Sequence, residues 1–175
     1  MSTPPLSGGV PYLERLMHCP RRLELARAEL GTLLNDYLEA GYVRQVESVL
    51  GSLITLDTQG LRELGFMCRP LSCATVTDQL AAHEAYALAK ARGYQPVFVS
   101  RNYLRLSDTE GREHLLYVRI SSGLPSSATI RTLLKKHAPS LRRTGGSLIF
   151  YVLRDPNYKG HAKAIQFWEV TNNPP

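Results

Sequence analysis

The sequence predicts an α+β protein with two parts: an N-terminal helical domain that ends in a two-stranded hairpin, and a C-terminal α/β domain with a mixed sheet. Up to about residue 66, apolar residues follow helical spacing and then strand alternation. From residue 75 onward the patterns are helix, three strands, helix and two strands. The charge also changes, because residues 1–70 hold seven Lys/Arg against eight Asp/Glu and residues 71–175 hold fourteen against seven.

The first elements are predicted to be helices. Residues 1–11 are rich in proline and glycine and are expected to form a flexible leader. Helical spacing predicts a helix over Tyr12–His18, a second that begins with Pro20 at its first position, and a third over Leu33–Ala40. Gly41 suits the left-handed position that commonly ends a helix. We therefore expect a compact three-helix cluster.

A hairpin and a closing helix follow this cluster. Tyr42 begins one strand, and residues 53–56 form the second, around a turn within 47–52. Either Asp57 or Thr58 can cap the next helix, which carries Leu61 and Leu64 inward. The order is helix, two-stranded wing and closing helix.

These segments, written LEAGYVRQV and LITLDTQGLREL in the sequence, resemble winged-helix regulators of the helix-turn-helix type. The resemblance covers residues 12–66. It implies a module that binds nucleic acid or a protein partner. The third helix would be the recognition helix, in which Asn35 is a candidate base-reading residue and Arg44 the nearby cation. Asp36 and Glu39 face phosphates poorly, so a plain solvent-exposed helix face is an equal alternative.

Residues 67–74 are the predicted linker, and residues 75–171 the second domain. The sequence predicts helices over 75–92 and 126–137, and it leaves 172–175 as a tail. Strands are expected at 96–100, 103–106, 113–120, 147–153 and 164–170.

This order, with Asp108 in a hairpin before the central strand, resembles the core of the restriction-endonuclease-like fold. In that family an Asp is followed by a Glu-x-Lys pair, and the carboxylates of the Asp and the Glu hold the magnesium used for phosphodiester cleavage. Here Tyr117 and Arg119 stand where the pair is expected, which implies a degenerate, non-catalytic domain. The alternative is a metal-dependent nuclease that uses Asp108 with Glu110 or Glu113. The combination of both domains loosely resembles plasmid and phage replication-relaxation proteins.

Basic residues are concentrated between Glu113 and Asp155, an interval with no acidic residue. Such a field attracts phosphates, although cations near a helix C-terminus also complement the helix dipole. The serines at 126 and 127 and Thr129 could add contacts at the start of the same helix. The candidate nucleic-acid-binding residues are Asn35, Arg44, Arg119, Arg131, Lys135, Lys136, Arg142 and Arg143.

Other chemistry finds little support in the sequence. Cys68 and Cys73, with His18 or Cys19, have poor spacing for a closed zinc site, so buried thiols are the simpler interpretation. We predict no cofactor, metal or catalytic residue. Three cysteines, and no apolar run of membrane-spanning length, indicate a reduced, cytoplasmic protein without a membrane partner.

We therefore expect a non-catalytic protein that binds double-stranded DNA, with a homodimer as one arrangement. The resemblances imply a task in plasmid or phage replication, mobilisation or transcription control. The alternatives are the nuclease described above and a winged-helix protein-interaction module.

Overall fold

The computed structural model describes residues 9–160 and 163–170. Its chain forms two compact units, and the boundary between them falls between Leu80 and Ala81. The fold is mixed α+β, as predicted, with one three-stranded sheet and one five-stranded mixed sheet. Within the described ranges, no helix is long and apolar enough to cross a membrane.

The N-terminal unit opens with helices. α1 spans Val10–His18, α2 spans Leu23–Leu30 and α3 spans Leu33–Glu39. The predicted leader, residues 1–11, lies largely outside the described residues, but α1 already includes Val10 and Pro11. The inward side chains of the three helices form one core with those of the sheet, and Leu13 and Leu16 of α1 and Leu34 of α3 are among its most deeply buried members.

A short strand precedes α2, which the sequence pattern did not predict. β1, Arg21–Arg22, pairs antiparallel with β3, Gly51–Leu56. Pro20 therefore does not begin a helix, because the two residues after it are extended and α2 starts at Leu23. The Nη1 of Arg22 donates to the carbonyl of Leu50, 3.0 Å away, which ties β1 to the hairpin turn.

The predicted hairpin is present. β2, Val43–Ser48, pairs with β3 in the register Val43↔Leu56 to Ser48↔Gly51, so the sheet order is β1-β3-β2. Gly41 before β2 has φ +70°, which fits the expected left-handed stop. α4, Thr58–Glu63, follows, and the carboxylate of Asp57 accepts from the Thr58 N–H at 2.7 Å, so Asp57 is the cap.

α5, Cys73–Ala91, begins inside the predicted linker. The Ser72 hydroxyl accepts from the Thr75 N–H at 3.2 Å, so Ser72 caps the helix. Its buried face includes Ala81, Ala85 and Ala89, which are fully buried, whereas Ala91 is exposed. Alanines place no long side chain there, so the helix can lie close to its neighbours.

The C-terminal unit is built on five strands in chain order: β4, Gln95–Ser100; β5, Tyr103–Ser107; β6, Glu113–Val118; β7, Leu148–Val152; and β8, Ile165–Glu169. β4, β5 and β6 form an antiparallel meander, and β6, β7 and β8 are parallel. β7 is buried at all five positions, as expected for a central strand covered on both faces.

α6, Ser127–Thr144, joins β6 to β7 and covers one face of the sheet. Its apolar side packs on a cluster that includes Leu148, Phe150 and Ile165. The predicted helix ended at His137, but α6 continues through Pro139 for a further two turns. On the opposite face of the sheet, the Tyr86 ring of α5 stacks on Phe98 of β4, with centroids 5.2 Å apart.

Candidate nucleic-acid interface

α6 carries most of the predicted phosphate-binding residues, and its two ends are well defined. At the start, the Ser126 hydroxyl accepts from the Thr129 N–H at 3.1 Å. At the end, Gly145 is left-handed with φ +68°, and its N–H bonds to the carbonyl of Leu141. Pro139 lacks an N–H, so the carbonyl of Lys135 loses its usual helical partner, yet burial of Ile130 and Leu141 on either side keeps the helix continuous.

The structure brings five of the predicted cations together on the solvent side of this helix. We call them the basic face of α6: Arg131, Lys135, Lys136, Arg142 and Arg143, all exposed. At about 100° per residue, Arg131, Lys135 and Arg142 lie in one narrow row, and Lys136 and Arg143 lie in a second row about 100° away. The face is about 18 Å long, from the rise of about 1.5 Å per residue.

The positive charge of this face is not neutralised locally. In the described part of the chain, none of the five side chains forms an ion pair. His137 lies on the opposite, inner side of the helix, with its ring 5.5 Å from that of Tyr103. Burial and the neighbouring Lys136 lower the pKa of His137, so it adds no charge at neutral pH. The face therefore presents two rows of cations without ion-pair partners among the described residues, which suits a polyanion.

Arg119 lies apart from the basic face. It is exposed just beyond β6 and lines a concavity of about 300 Å³ at the other end of α6, beside Ser126 and Thr129. The two hydroxyl oxygens are 3.0 Å apart and bond to each other. The Ser126 hydroxyl is already used as the helix cap. The phosphate contacts expected of Ser126 and Thr129 stay a prediction.

The two candidates in the N-terminal unit have different surroundings. Asn35 is exposed on α3, directly before the exposed Asp36 and one helical turn before the exposed Glu39. Arg44 is half-buried on β2, and its Nη2 donates to the carbonyl of Leu71. A guanidinium held by a backbone carbonyl has fewer donors left for a base edge, so Arg44 is the weaker of the two candidates.

The hairpin adds a further negative charge to this unit. The carboxylate of Glu47 accepts from Gln45 Nε2 at 2.7 Å and from the Ser52 hydroxyl at 2.7 Å. These bonds, that from Gln45 foremost, lower the pKa of Glu47, so the carboxylate is ionised near the hairpin turn. An anion at this position opposes close approach of phosphates.

Asp108, the residue that a nuclease would use, is occupied by hydrogen bonds. Its Oδ1 accepts from the N–H groups of Glu110 and Arg112, both at 2.9 Å, as expected for a turn aspartate. Its Oδ2 accepts from Arg112 Nε at 2.7 Å and lies 3.3 Å from His114 Nε2. Burial raises the pKa of Asp108, but the hydrogen bonds from Arg112, His114 and Glu110 more than offset this and hold it well below its usual range.

The other two carboxylates of the nuclease alternative also face arginines. Glu110 is 3.3 Å from Arg112 Nη2, and Glu113 is 3.9 Å from Arg105 Nε. Tyr117, which the sequence resemblance put in place of a metal-binding carboxylate, packs its ring 5.1 Å from that of Tyr103 and 5.7 Å from that of Phe150. Among the described residues, no group of three or more His, Cys, Asp or Glu could hold a metal ion.

A network of buried hydrogen bonds continues from Asp108, and the sequence analysis did not predict it. His114 Nδ1 accepts from the Ser147 N–H at 3.1 Å and lies 2.9 Å from the Ser147 hydroxyl. The proton is therefore assigned to Nε2, where it is donated to Asp108. Gln166 Nε2 donates to the same hydroxyl at 3.0 Å. His114 and Ser147 are 7% and 5% exposed, so this network ties β6, β7 and β8 together and presents no nucleophile to solvent.

The cysteines have individual roles. The Cys73 thiol donates to the carbonyl of Glu47, 2.9 Å away, and the Cys19 thiol to the carbonyl of Pro20, 3.3 Å away. Cys68 and Cys73 are both exposed, contrary to the expected buried thiols.

Comparisons with models of protein families, with curated proteins and with solved structures found no match for this chain.

Proposed function

We propose that this protein binds double-stranded DNA without cutting it, and that the basic face of α6 provides the phosphate contacts. One observation carries the proposal: five exposed cations lie along about 18 Å of one helix with no ion-pair partner in the described residues. Duplex DNA carries about one charge per 1.7 Å of its axis, so such a face can meet several phosphates at once.

The N-terminal unit is proposed to be a winged-helix module. Three helices, the β2–β3 hairpin and the sheet order β1-β3-β2 support this assignment. Asn35 is its best-placed base-reading candidate, whereas the acids on α3 and Glu47 near the hairpin turn limit its contribution to affinity. A role in plasmid or phage replication, mobilisation or transcription control belongs to the same proposal.

A second candidate function for this unit is protein interaction or homodimerisation. Leu25 on α2 and Leu33 on α3 are each 48% exposed, in helices that also expose acidic residues. Replacing both leucines by lysine and measuring the mass in solution by light scattering tests this. A dimer that becomes a monomer supports it, and an unchanged mass with unchanged DNA binding removes it.

Salt dependence tests the main proposal. The variant with Lys135, Lys136, Arg142 and Arg143 replaced by alanine should bind random duplex more weakly at every sequence. Each phosphate contact contributes about 0.9 to the slope of log affinity against log salt, so the slope should flatten by about 3–4 units if all four contact phosphates. Fluorescence anisotropy at several salt concentrations measures both quantities.

A matched control separates local contacts from net charge. Alanine at Arg27, Arg62, Arg69 and Arg101, four exposed arginines elsewhere, removes the same total charge. This control should keep most of the slope. If both variants lose affinity equally, general electrostatic attraction explains the binding, and the basic face has no special role.

A further inference from the structure

A cavity of about 650 Å³ lies along one row of the basic face of α6. Arg131, Lys135 and Arg142 form its charged edge. Its floor is apolar and comes from Leu134, Ala138 and Leu141 of the same helix, with Ala164 before β8. A concave apolar surface therefore lies directly beside the cations. The phosphate contacts proposed above use the cations but not the apolar surface.

Small residues keep the cavity open. Ala138 lies in the same helical row as the three cations, between Lys135 and Arg142, where a larger side chain would fill the space. Gly145 and Gly146 complete the wall where α6 ends. At Gly146 a side chain would collide with the carbonyl of Glu113, so this part of the wall is bare backbone for a packing reason.

A fully paired duplex cannot use this floor. Its outer surface offers phosphates and sugars, while its bases are stacked inside, so only the charged edge would be occupied. An unpaired nucleotide carries both parts that the cavity matches, because its phosphate suits the cations and its base is a flat surface free to leave the stack. Arginine guanidinium planes stack on such bases, and apolar side chains sandwich them. A volume of about 650 Å³ also falls within the usual range of ligand pockets, about 300–1,000 Å³.

We propose that this cavity takes an unpaired base, so that the protein prefers DNA carrying single-stranded nucleotides, such as an overhang or a frayed end, to blunt duplex. The inference rests on the proposed function and specifies its ligand: the row of Arg131, Lys135 and Arg142 holds the phosphates that flank the base.

Three fluorescent probes test the proposal with the full-length protein: a blunt duplex, the same duplex with a few unpaired nucleotides at one end, and a third probe whose overhang consists of abasic sites. The abasic overhang has the same extra phosphates but no bases. We expect the overhang with bases to bind about tenfold more tightly than the abasic one. Equal affinity for the two overhangs would overturn the proposal.

Variants locate the effect. Ala138→Leu should remove the base-dependent gain and leave blunt-duplex affinity unchanged, because every cation is retained. Ala128→Leu, an exposed alanine earlier on α6, is the matched control and should keep the gain. Ala164→Leu fills the cavity from the opposite wall and replaces Ala138→Leu if thermal unfolding shows that the latter is not folded. A gain that persists in a folded cavity variant would overturn the proposal.

The remaining outcomes are distinguishable. If the alanine variant of the four basic residues binds blunt duplex as the wild type does, the proposed function fails. If blunt duplex binds through α6 but the bases add nothing, only the cavity assignment fails. An anionic lipid offers a comparable combination of charge and apolar surface. Binding to vesicles of phosphatidylserine and phosphatidylcholine that is lost in Ala138→Leu, with no base-dependent DNA gain, would overturn the assignment in favour of a membrane ligand.

Discussion

At the scale of single residues, Asp108 was the candidate metal-binding residue of the nuclease alternative, but its hydrogen bonds give it a structural role. Its two oxygens face Arg112, His114 and two backbone N–H groups. The sequence Asp-Thr-Glu-Gly predicted the turn, because aspartate commonly bonds to the N–H two residues later. The bond between His114 and Ser147 joins residues 33 positions apart and depends on β6 lying beside β7, which no local pattern reveals.

The depressed pKa of Asp108 leads to a pH-dependent prediction. A carboxyl whose pKa is lower in the folded state stabilises the protein above its unfolded pKa of about 3.9, and this stabilisation is lost as the pH falls toward the folded pKa. Asp108→Asn should therefore lower the Tm by a constant amount from pH 7 to about pH 4, and by less below that. Thermal unfolding monitored by circular dichroism across this range measures the difference.

Glu110→Gln is the control for this prediction. Glu110 is exposed, and within the described residues its carboxylate pairs only with the side chain of Arg112, so loss of its charge should change the Tm little. A Tm difference for Asp108→Asn that grows below pH 4 would contradict the assigned hydrogen bonds.

At the scale of elements, periodic apolar patterns predicted the helices and strands that pack by one face. The β2–β3 hairpin is an example, whereas β7, which is covered on both faces, was predicted from its continuous apolar run. The sequence pattern did not predict β1, because Arg21 and Arg22 show no apolar alternation and form a strand only by pairing with β3. The predicted helix was shorter than α6, because a proline such as Pro139 usually ends a helix. Leu141 lies beyond this proline and is buried, so it holds the last turns of α6 against the sheet.

The contact between α4 and β2 depends on Gly60. A side chain at this position would collide with the carbonyl of Tyr42, whose oxygen also accepts from the Asp57 N–H at 3.0 Å. Backbone atoms cannot move aside cheaply, so Gly60→Ala should destabilise the protein despite the better helix propensity of alanine, which is worth about 1 kcal/mol. We expect a lower midpoint of urea unfolding.

Thr58→Ala, at an exposed position of the same helix, serves as the comparison and should shift that midpoint much less. A Gly60→Ala protein as stable as the wild type would show that α4 can move away from β2 without cost.

At the scale of the whole molecule, charge is unevenly distributed. The C-terminal unit contains the basic face of α6, and the N-terminal unit exposes acids on α3 and near its hairpin turn. Composition alone predicted this difference in charge, and the apolar patterns predicted a mixed α+β fold with all of its strands except β1. Neither could predict the cavity beside α6, since a cavity depends on how a helix and the start of a strand meet.

Because the candidate metal-binding carboxylates pair with arginines, we predict that the protein does not cleave DNA. Supercoiled plasmid incubated with Mg²⁺ or Mn²⁺ should remain intact, because Asp108, Glu110 and Glu113 each face an arginine. Gel electrophoresis of the plasmid over time is the measurement. Sustained nicking that disappears in Asp108→Ala, with the fold preserved, would establish the nuclease alternative instead.

The position of α5 determines how the protein can be dissected. The boundary between the two units lies between Leu80 and Ala81, inside this 19-residue helix. A fragment that stops at the boundary keeps only the first eight residues of α5, which is shorter than the roughly 12–15 residues that an isolated helix needs to persist in water. Two fragments that each retain all of Cys73–Ala91 are therefore the better pair for assigning DNA affinity to one half of the chain, and a cleavage site engineered at Leu80 would damage both halves.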